Sequence, residues 1–205
     1  MENKNSKIVK AETFKQRVLR KMYPLIRKMG KKGKNGTVLV NNQKAVPSKS
    51  FYDLKADMNN GKTLNFLAFE GKKVVLVNTA SNCGYTGQYA ELQSLHEQFG
   101  DKLQIIAFPA NDFAEQEKSN DNEIAQFCQI NYGVTFPVAK KGVVLKKSEQ
   151  QPVFEWLSDK KSNGWNEHAP DWNFGKYIVD EKGVLTHYFG PSVSPLEKDF
   201  INAVK

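Results

Sequence analysis

Cys83 stands where a thiol could act as a reagent. The run Val75-Leu76-Val77-Asn78 has the character of a buried strand, and it passes through the polar turn Thr79-Ala80-Ser81-Asn82 straight to the cysteine. Beyond it, Tyr89, Leu92, Leu95, His96 and Phe99 recur at spacings of three and four, which predicts a helix over about 85–99. A sulfur near the start of such a helix meets unsatisfied backbone N–H groups and the positive end of the helix dipole. Both favour the thiolate, the form that attacks an electrophile. The alternative is a small apolar side chain closing the end of a buried strand.

Three further segments weigh on that choice. Val77 to Thr86 (VNTASNCGYT), Phe108 to Glu117 (FPANDFAEQE) and Trp172-Asn173-Phe174 occur in the order of the three motif blocks of the glutathione peroxidase family. The chain resembles that family from about Phe51 to Lys205. The resemblance implies a thioredoxin-like α/β fold and a thiol-based reduction of hydrogen peroxide or of organic and lipid hydroperoxides, with no cofactor. It also implies the catalytic residues: Cys83 as nucleophile, flanked by Gln116, Trp172 and Asn173. These types suit the task. The two carboxamides and the indole N–H are neutral donors that can stabilise a developing anion and a leaving hydroxide without bringing a second buried charge. The second block departs from the family pattern at Ala110, Asp112, Lys118 and Ser119, where a cysteine, a glutamine and a Pro-Gly pair commonly stand; this removes a preset turn after Gln116.

The second and last cysteine, Cys128, lies in a segment whose Ile124, Phe127 and Cys128 share one helical face ending at Gly133. It reads either as a packed core thiol or as a resolving cysteine that attacks a Cys83 sulfenic acid to give a disulfide, reduced in turn by thioredoxin. Glutathione is the other reductant the resemblance implies. A mildly acidic body and a second thiol favour the protein dithiol. The family's tetrameric members carry an extra segment ahead of the Trp-Asn-Phe block; the stretch from Ser158 to Asp171 is short, which implies a monomer. The competing reading is a thioredoxin-like redox-sensing or binding module.

Composition excludes several classes. Two cysteines 45 positions apart with no C-x-x-C are neither a secreted disulfide framework nor a zinc site. His96, His168 and His187 lack any ligand spacing, so no metal is expected. No phosphate-cradling glycine loop and no run of 18 apolar residues occurs. A cytoplasmic protein, peripheral to the membrane surface if bound to it at all, is the resulting expectation.

Charge divides the chain. Residues 1–50 hold fourteen basic and two acidic residues, a net of +12, whereas 51–205 carry −4. We therefore expect a basic N-terminal extension and linker over 1–50 and a peroxidase-like domain over 51–205. Phe14, Val18, Met22, Leu25 and Met29 form an apolar stripe on a helix over about 11–29, with Lys15, Arg17, Arg20, Lys21, Arg27 and Lys28 around it. Pro24 should kink or divide that helix. Residues 31–36 read as a flexible basic link. The helix either packs on the body or, with the whole basic span 11–34, meets an anionic membrane surface or an acidic partner. Nucleic acid is not expected, because no base-reading motif accompanies the charge. Nor does the segment read as a cleaved signal peptide, which would need a continuous apolar core.

The elements that must position these residues follow from pattern. Strands are predicted at 63–66, 73–78, 103–109, 174–179 and 185–189, and helices near 85–99, 122–131, 152–158 and 195–204. Their alternation, followed by two strands joined at Asp180-Glu181-Lys182-Gly183, predicts a mixed central sheet flanked by helices.

Overall fold

A computed structural model describes residues 12–205. Its helices are α1 (Phe14–Gly30), α2 (Gln88–Phe99), α3 (Asp121–Tyr132), α4 (Pro152–Leu157), α5 (Lys160–Asn163) and α6 (Lys198–Val204). Its strands are β1 (Val38–Val40), β2 (Lys55–Asp57), β3 (Thr63–Asn65), β4 (Lys73–Thr79), β5 (Leu103–Pro109), β6 (Lys176–Val179) and β7 (Leu185–Phe189). Five strands form one mixed sheet in the order β1-β7-β6-β4-β5, in which only β4 and β5 run parallel, while β2 and β3 make a separate hairpin.

Alternation along the central strands sorts side chains into two cores. Val75, Val77, Ile105 and Ala107 face one side, against Tyr89, Leu92 and Leu95 of α2, Ile124 and Phe127 of α3 and Phe200 of α6. Val74, Leu76, Ile106 and Phe108 face the other, against Ala56 of the hairpin and Val153 and Phe154 of α4. β4 is buried on both faces because layers cover both, which is why it reads as an unbroken apolar run. Each fully buried Val, Leu or Ile side chain among these contributes about 1.5–3 kcal/mol. A mixed sheet flanked by helices is what the pattern predicts.

Boundaries shift in places that matter. The helix after Cys83 begins at Gln88, not at 85, because residues 83–87 form tight turns instead. The last helix begins at Lys198, and β6 begins at Lys176 rather than 174. The 180–183 turn is as expected, with Gly183 at φ +76. α3 starts on an Asn120 capping box and stops at Gly133, which is left-handed.

Residues 12–50 are built onto the body. Val38, Leu39 and Val40 pair with Phe189, Tyr188 and His187, so β1 caps the edge of the sheet, an element periodicity did not reveal. The basic link is not loose: a 3₁₀ turn over Lys34–Gly36 is tied down where Ser192 donates its N–H and its hydroxyl to the Asn35 carbonyl, each at 2.8 Å. α1 is a single helix despite Pro24, started by a Thr13–Gln16 capping box; Ala11, the expected first residue, lies outside the described residues.

Candidate active site

Cys83 leaves the end of β4 on a loop that the local sequence holds in shape. Thr86, three residues on, accepts the Cys83 N–H at 3.1 Å, and its own hydroxyl lies 2.6 Å from the Cys83 carbonyl and 3.1 Å from that of Ala80. The side chain adds to the turn hydrogen bond that the Thr86 N–H donates to the Cys83 carbonyl at 3.2 Å. It curls the chain so that the Tyr85 N–H points back at the Cys83 sulfur, 3.4 Å away.

The loop after β5 supplies Gln116. The Asn82 N–H donates to the Gln116 carbonyl at 3.1 Å, locking the two loops together. Ala114 and Glu115 take left-handed conformations, φ +48 and +51, to make the bend that presents Gln116, at a cost of roughly 1–2 kcal/mol per residue. The segment before β6 supplies the other two groups. Asn78 accepts the Gly175 N–H on Oδ1 and donates Nδ2 to the Trp172 carbonyl, each at 3.0 Å, and Phe174 is left-handed at φ +69. Asn78 thereby fixes the Trp172-Asn173 turn to the same strand that ends near Cys83.

These loops converge at the sulfur. The Trp172 indole, the Asn173 carboxamide and the Gly84 N–H lie near enough to pull the Cys83 thiol down, and the Tyr85 N–H stands within hydrogen-bond distance of it. Asn173 Nδ2 donates to Gln116 Oε1 at 3.1 Å, and Trp172 is braced by the Phe113 ring, 5.6 Å between centroids. Gln116 and Trp172 are half-buried and form the rim. All four residues expected from the motif blocks therefore meet. Cys128 joins the same apolar cluster from α3, and both cysteines are free thiols.

The protonation state differs from expectation. Cys83 is 1 % exposed, and burial pushes its thiol up to about 11, against the downward pull of the Tyr85 N–H, Trp172, Asn173 and the Gly84 N–H. The resting sulfur is a thiol rather than a thiolate. Two physical reasons act together: desolvation outweighs neutral donors, and the helix dipole is remote because α2 begins five residues later. Burial also raises the Cys128 thiol, to about 12, with the Tyr89 hydroxyl pulling it down and the Glu117 charge adding to the rise.

Sequence reasoning passed over Glu117, beside Gln116. Its carboxylate is fully buried; Oε2 accepts the Ser81 N–H at 2.7 Å and the Ser81 hydroxyl at 2.8 Å. Burial pushes it up to about 7 in spite of Ser81 and Lys141. It bridges the loop that carries Cys83 to the loop that carries Gln116. Oε1 has no hydrogen-bond partner among the described residues, and neither does Asn173 Oδ1. The segment from Phe108 to Glu117 holds three acidic residues, Asp112, Glu115 and Glu117, and nothing in its sequence singles out the last.

A sheet that delivers one thiol into a ring of neutral donors defines a thiol-dependent oxidoreductase of thioredoxin-like fold. Known proteins narrow that class. Residues 51–158 match the family described as glutathione peroxidase. The chain is 39 % identical over 151 residues to glutathione peroxidase-like peroxiredoxin 2 of Saccharomyces cerevisiae, covering 73 % of this chain and 93 % of that one. It is 38 % identical over 151 residues to a glutathione peroxidase of Lactococcus lactis, covering 73 % and 95 %. Among solved structures it resembles GPX1 of T. cruzi, with a TM-score of 0.58 at 26 % identity over 76 % of this chain and 97 % of that one. The chain belongs to the glutathione peroxidase family and is a peroxidase.

Proposed function

We propose that Cys83 is the peroxidatic nucleophile and that Gln116, Trp172 and Asn173 are its catalytic partners. The observation that carries this reading is the convergence of the indole and the Asn173 carboxamide on the Cys83 sulfur, with Gln116 bonded to the latter. The sulfur attacks one peroxide oxygen; the S–O bond forms as the O–O bond breaks, and the thiol proton passes to the leaving oxygen. A sulfenic acid and water or an alcohol result. The donors act most strongly when charge develops on sulfur and on the leaving oxygen, which is where preorganised neutral donors lower a barrier.

Cys128 is the resolving thiol in this proposal. It attacks the Cys83 sulfenic sulfur, the S–OH bond breaks and water leaves, and the disulfide is reduced by thioredoxin in preference to glutathione. Its place in the same cluster as Cys83 supports the role, as does the similarity to the yeast relative, a glutathione peroxidase-like peroxiredoxin. α3 must loosen locally, since disulfide geometry needs Cα atoms within roughly 7 Å. Cys128 also lines a cleft of about 440 Å³ between the β2–β3 hairpin, α3 and the segment 134–138.

In the same reading residues 1–50 are an extension of a catalytic unit spanning 51–205; the family match begins at residue 51. The protein works as a cytoplasmic monomer, with residues 11–34 as the part that meets an anionic membrane surface. Among the described residues no helix is long and apolar enough to cross a membrane. Mass spectrometry after one equivalent of hydrogen peroxide tests the chemistry: the wild type should lose two hydrogens and link the two thiols, and Cys128→Ser should hold a single added oxygen on Cys83. An unmodified Cys83 would defeat the proposal.

A further inference from the structure

α1 has two apolar faces, and the structure turns the longer one away from the protein. At 100° per residue, Phe14, Val18, Met22, Leu25 and Met29 fall within about 80° of arc. All five are exposed, Phe14 to 78 % and Met29 to 73 %. Lys21, Arg17 and Lys28 border that arc on one side and Lys15 on the other, all exposed, and none is assigned an ion pair among the described residues. The basic residues with partners lie nearer the body: Arg20 with Glu12, and Arg27 and Lys31 with Glu197.

The opposite face is clamped onto the Cys83 loop. Tyr23 is buried and donates its hydroxyl to Glu91 at 2.8 Å. Glycines at 84 and 87 let the helix come this close: a Cβ on Gly84 would stand 2.9 Å from Ile26 Cδ1, and one on Gly87 would stand 2.7 Å from Tyr23 Cδ1. Gln16 Nε2 donates to the Ser81 carbonyl at 3.3 Å. One helix thus touches residues on both sides of the nucleophile, and it lies outside the segment that matches the family.

We infer that α1 is a rigid two-faced bracket whose outer stripe enters the surface of an anionic bilayer while its inner face stays on the 81–91 segment, holding the nucleophile loop about one helix diameter, ~10 Å, below the lipid. This deepens the proposed function by giving the membrane reading a surface and an orientation, and it rests on that reading for its consequence in catalysis. The occupant follows from the chemistry of the face. A stripe of aliphatic, thioether and aromatic side chains with exposed cations along its borders complements acyl chains beneath anionic headgroups. No rearrangement is needed, because the stripe already points outward.

The test uses the full chain and vesicles of phosphatidylcholine with or without one quarter phosphatidylglycerol. Wild-type protein should sediment with the anionic vesicles and far less with the neutral ones. Met22→Glu with Leu25→Glu should lower partition at least tenfold, and Lys21→Gln or Lys28→Gln about fivefold each. Hydrogen exchange should show the 81–91 segment as protected on vesicles as in solution. Consumption of a hydroperoxide embedded in the vesicles should fall with partition in these variants, while their melting temperatures and rates on hydrogen peroxide match the wild type. Equal binding to neutral vesicles, unaltered binding by the double variant, exchange opening at 81–91, or binding only to an acidic protein or polynucleotide would each overturn the inference. Vesicle binding is read without peroxide, so loss of all peroxidase activity would sink the catalytic assignment and leave this result standing.

Discussion

The two cysteines are equally hidden, 1 % exposed each, yet their surroundings differ in kind. Cys83 faces neutral donors: the Tyr85 and Gly84 N–H groups, the Trp172 indole and the Asn173 carboxamide. Cys128 faces the Tyr89 hydroxyl and the negative field of Glu117. Burial raises both thiols, but only the first has a set of groups that stabilise added negative charge as it forms. Burial alone therefore does not set the two sulfurs apart; the polarity of the groups around them does.

The sharpest break in that comparison is removal of each sulfur in turn. Cys83→Ser should reduce peroxide consumption to background in a thioredoxin-coupled assay. Cys128→Ser should leave the first oxidation of Cys83 at the wild-type rate and slow thioredoxin-coupled turnover at least tenfold. Full turnover without Cys128 would remove it from the pathway.

Next in size is the donor set. Trp172→Phe keeps a ring against Phe113 and deletes the N–H, so single-turnover oxidation of Cys83 should fall by roughly 10²-fold, the scale of losing one preorganised donor. An equal substitution near Cys128, Tyr89→Phe, should leave that first step unchanged.

The pH profile follows from the same contrast. The Cys83 thiol is pushed up to about 11, so the ionised fraction at neutral pH is small and grows with pH. Stopped-flow oxidation should speed up by about tenfold per pH unit from 7 to 10 if the thiolate is the attacking form. A flat profile would show that the proton leaves in concert with attack.

Glu117 gives a smaller effect, read in stability. Its carboxyl is raised from 4.5 to about 7, so the folded state holds that proton more tightly than the unfolded chain. The associated stabilisation is complete below about pH 4.5 and is lost as pH rises through 7, on the order of 3 kcal/mol. Glu117→Gln keeps an acceptor for Ser81, and denaturant melts should show the slope of stability over that interval flattened. The smallest change is Ala114→Gly, which relieves a left-handed residue in the Gln116 loop and should add about 1 kcal/mol.

Much of this was legible before the fold. The apolar runs of β4 and β5, the hairpin with Gly183 and the α3 stop at Gly133 carry strong local signals, and the structure reproduces them. The meeting of Gln116, Trp172 and Asn173 with Cys83 was legible only through the motif blocks, because residue types alone say nothing about which distant loops converge. β1 was missed because three residues are too few for a period to register. Glu117 was missed because one acidic residue beside others, Asp112 and Glu115, looks like surface until the chain is folded around it.

What the sequence determined by itself is the alternation of the central strands and helices, the placement of one thiol at the end of a buried strand, and the concentration of positive charge in the first fifty residues. These are properties of neighbours along the chain. The tertiary structure alone decided that the thiol rests protonated, that a carboxylate lies buried between two loops, and which of the two apolar faces of α1 is covered. Desolvation depends on everything packed around a group, and a helix with two greasy sides shows the one that finds no complementary surface, a choice made by the glycines at 84 and 87 that let Tyr23 and Ile26 fit.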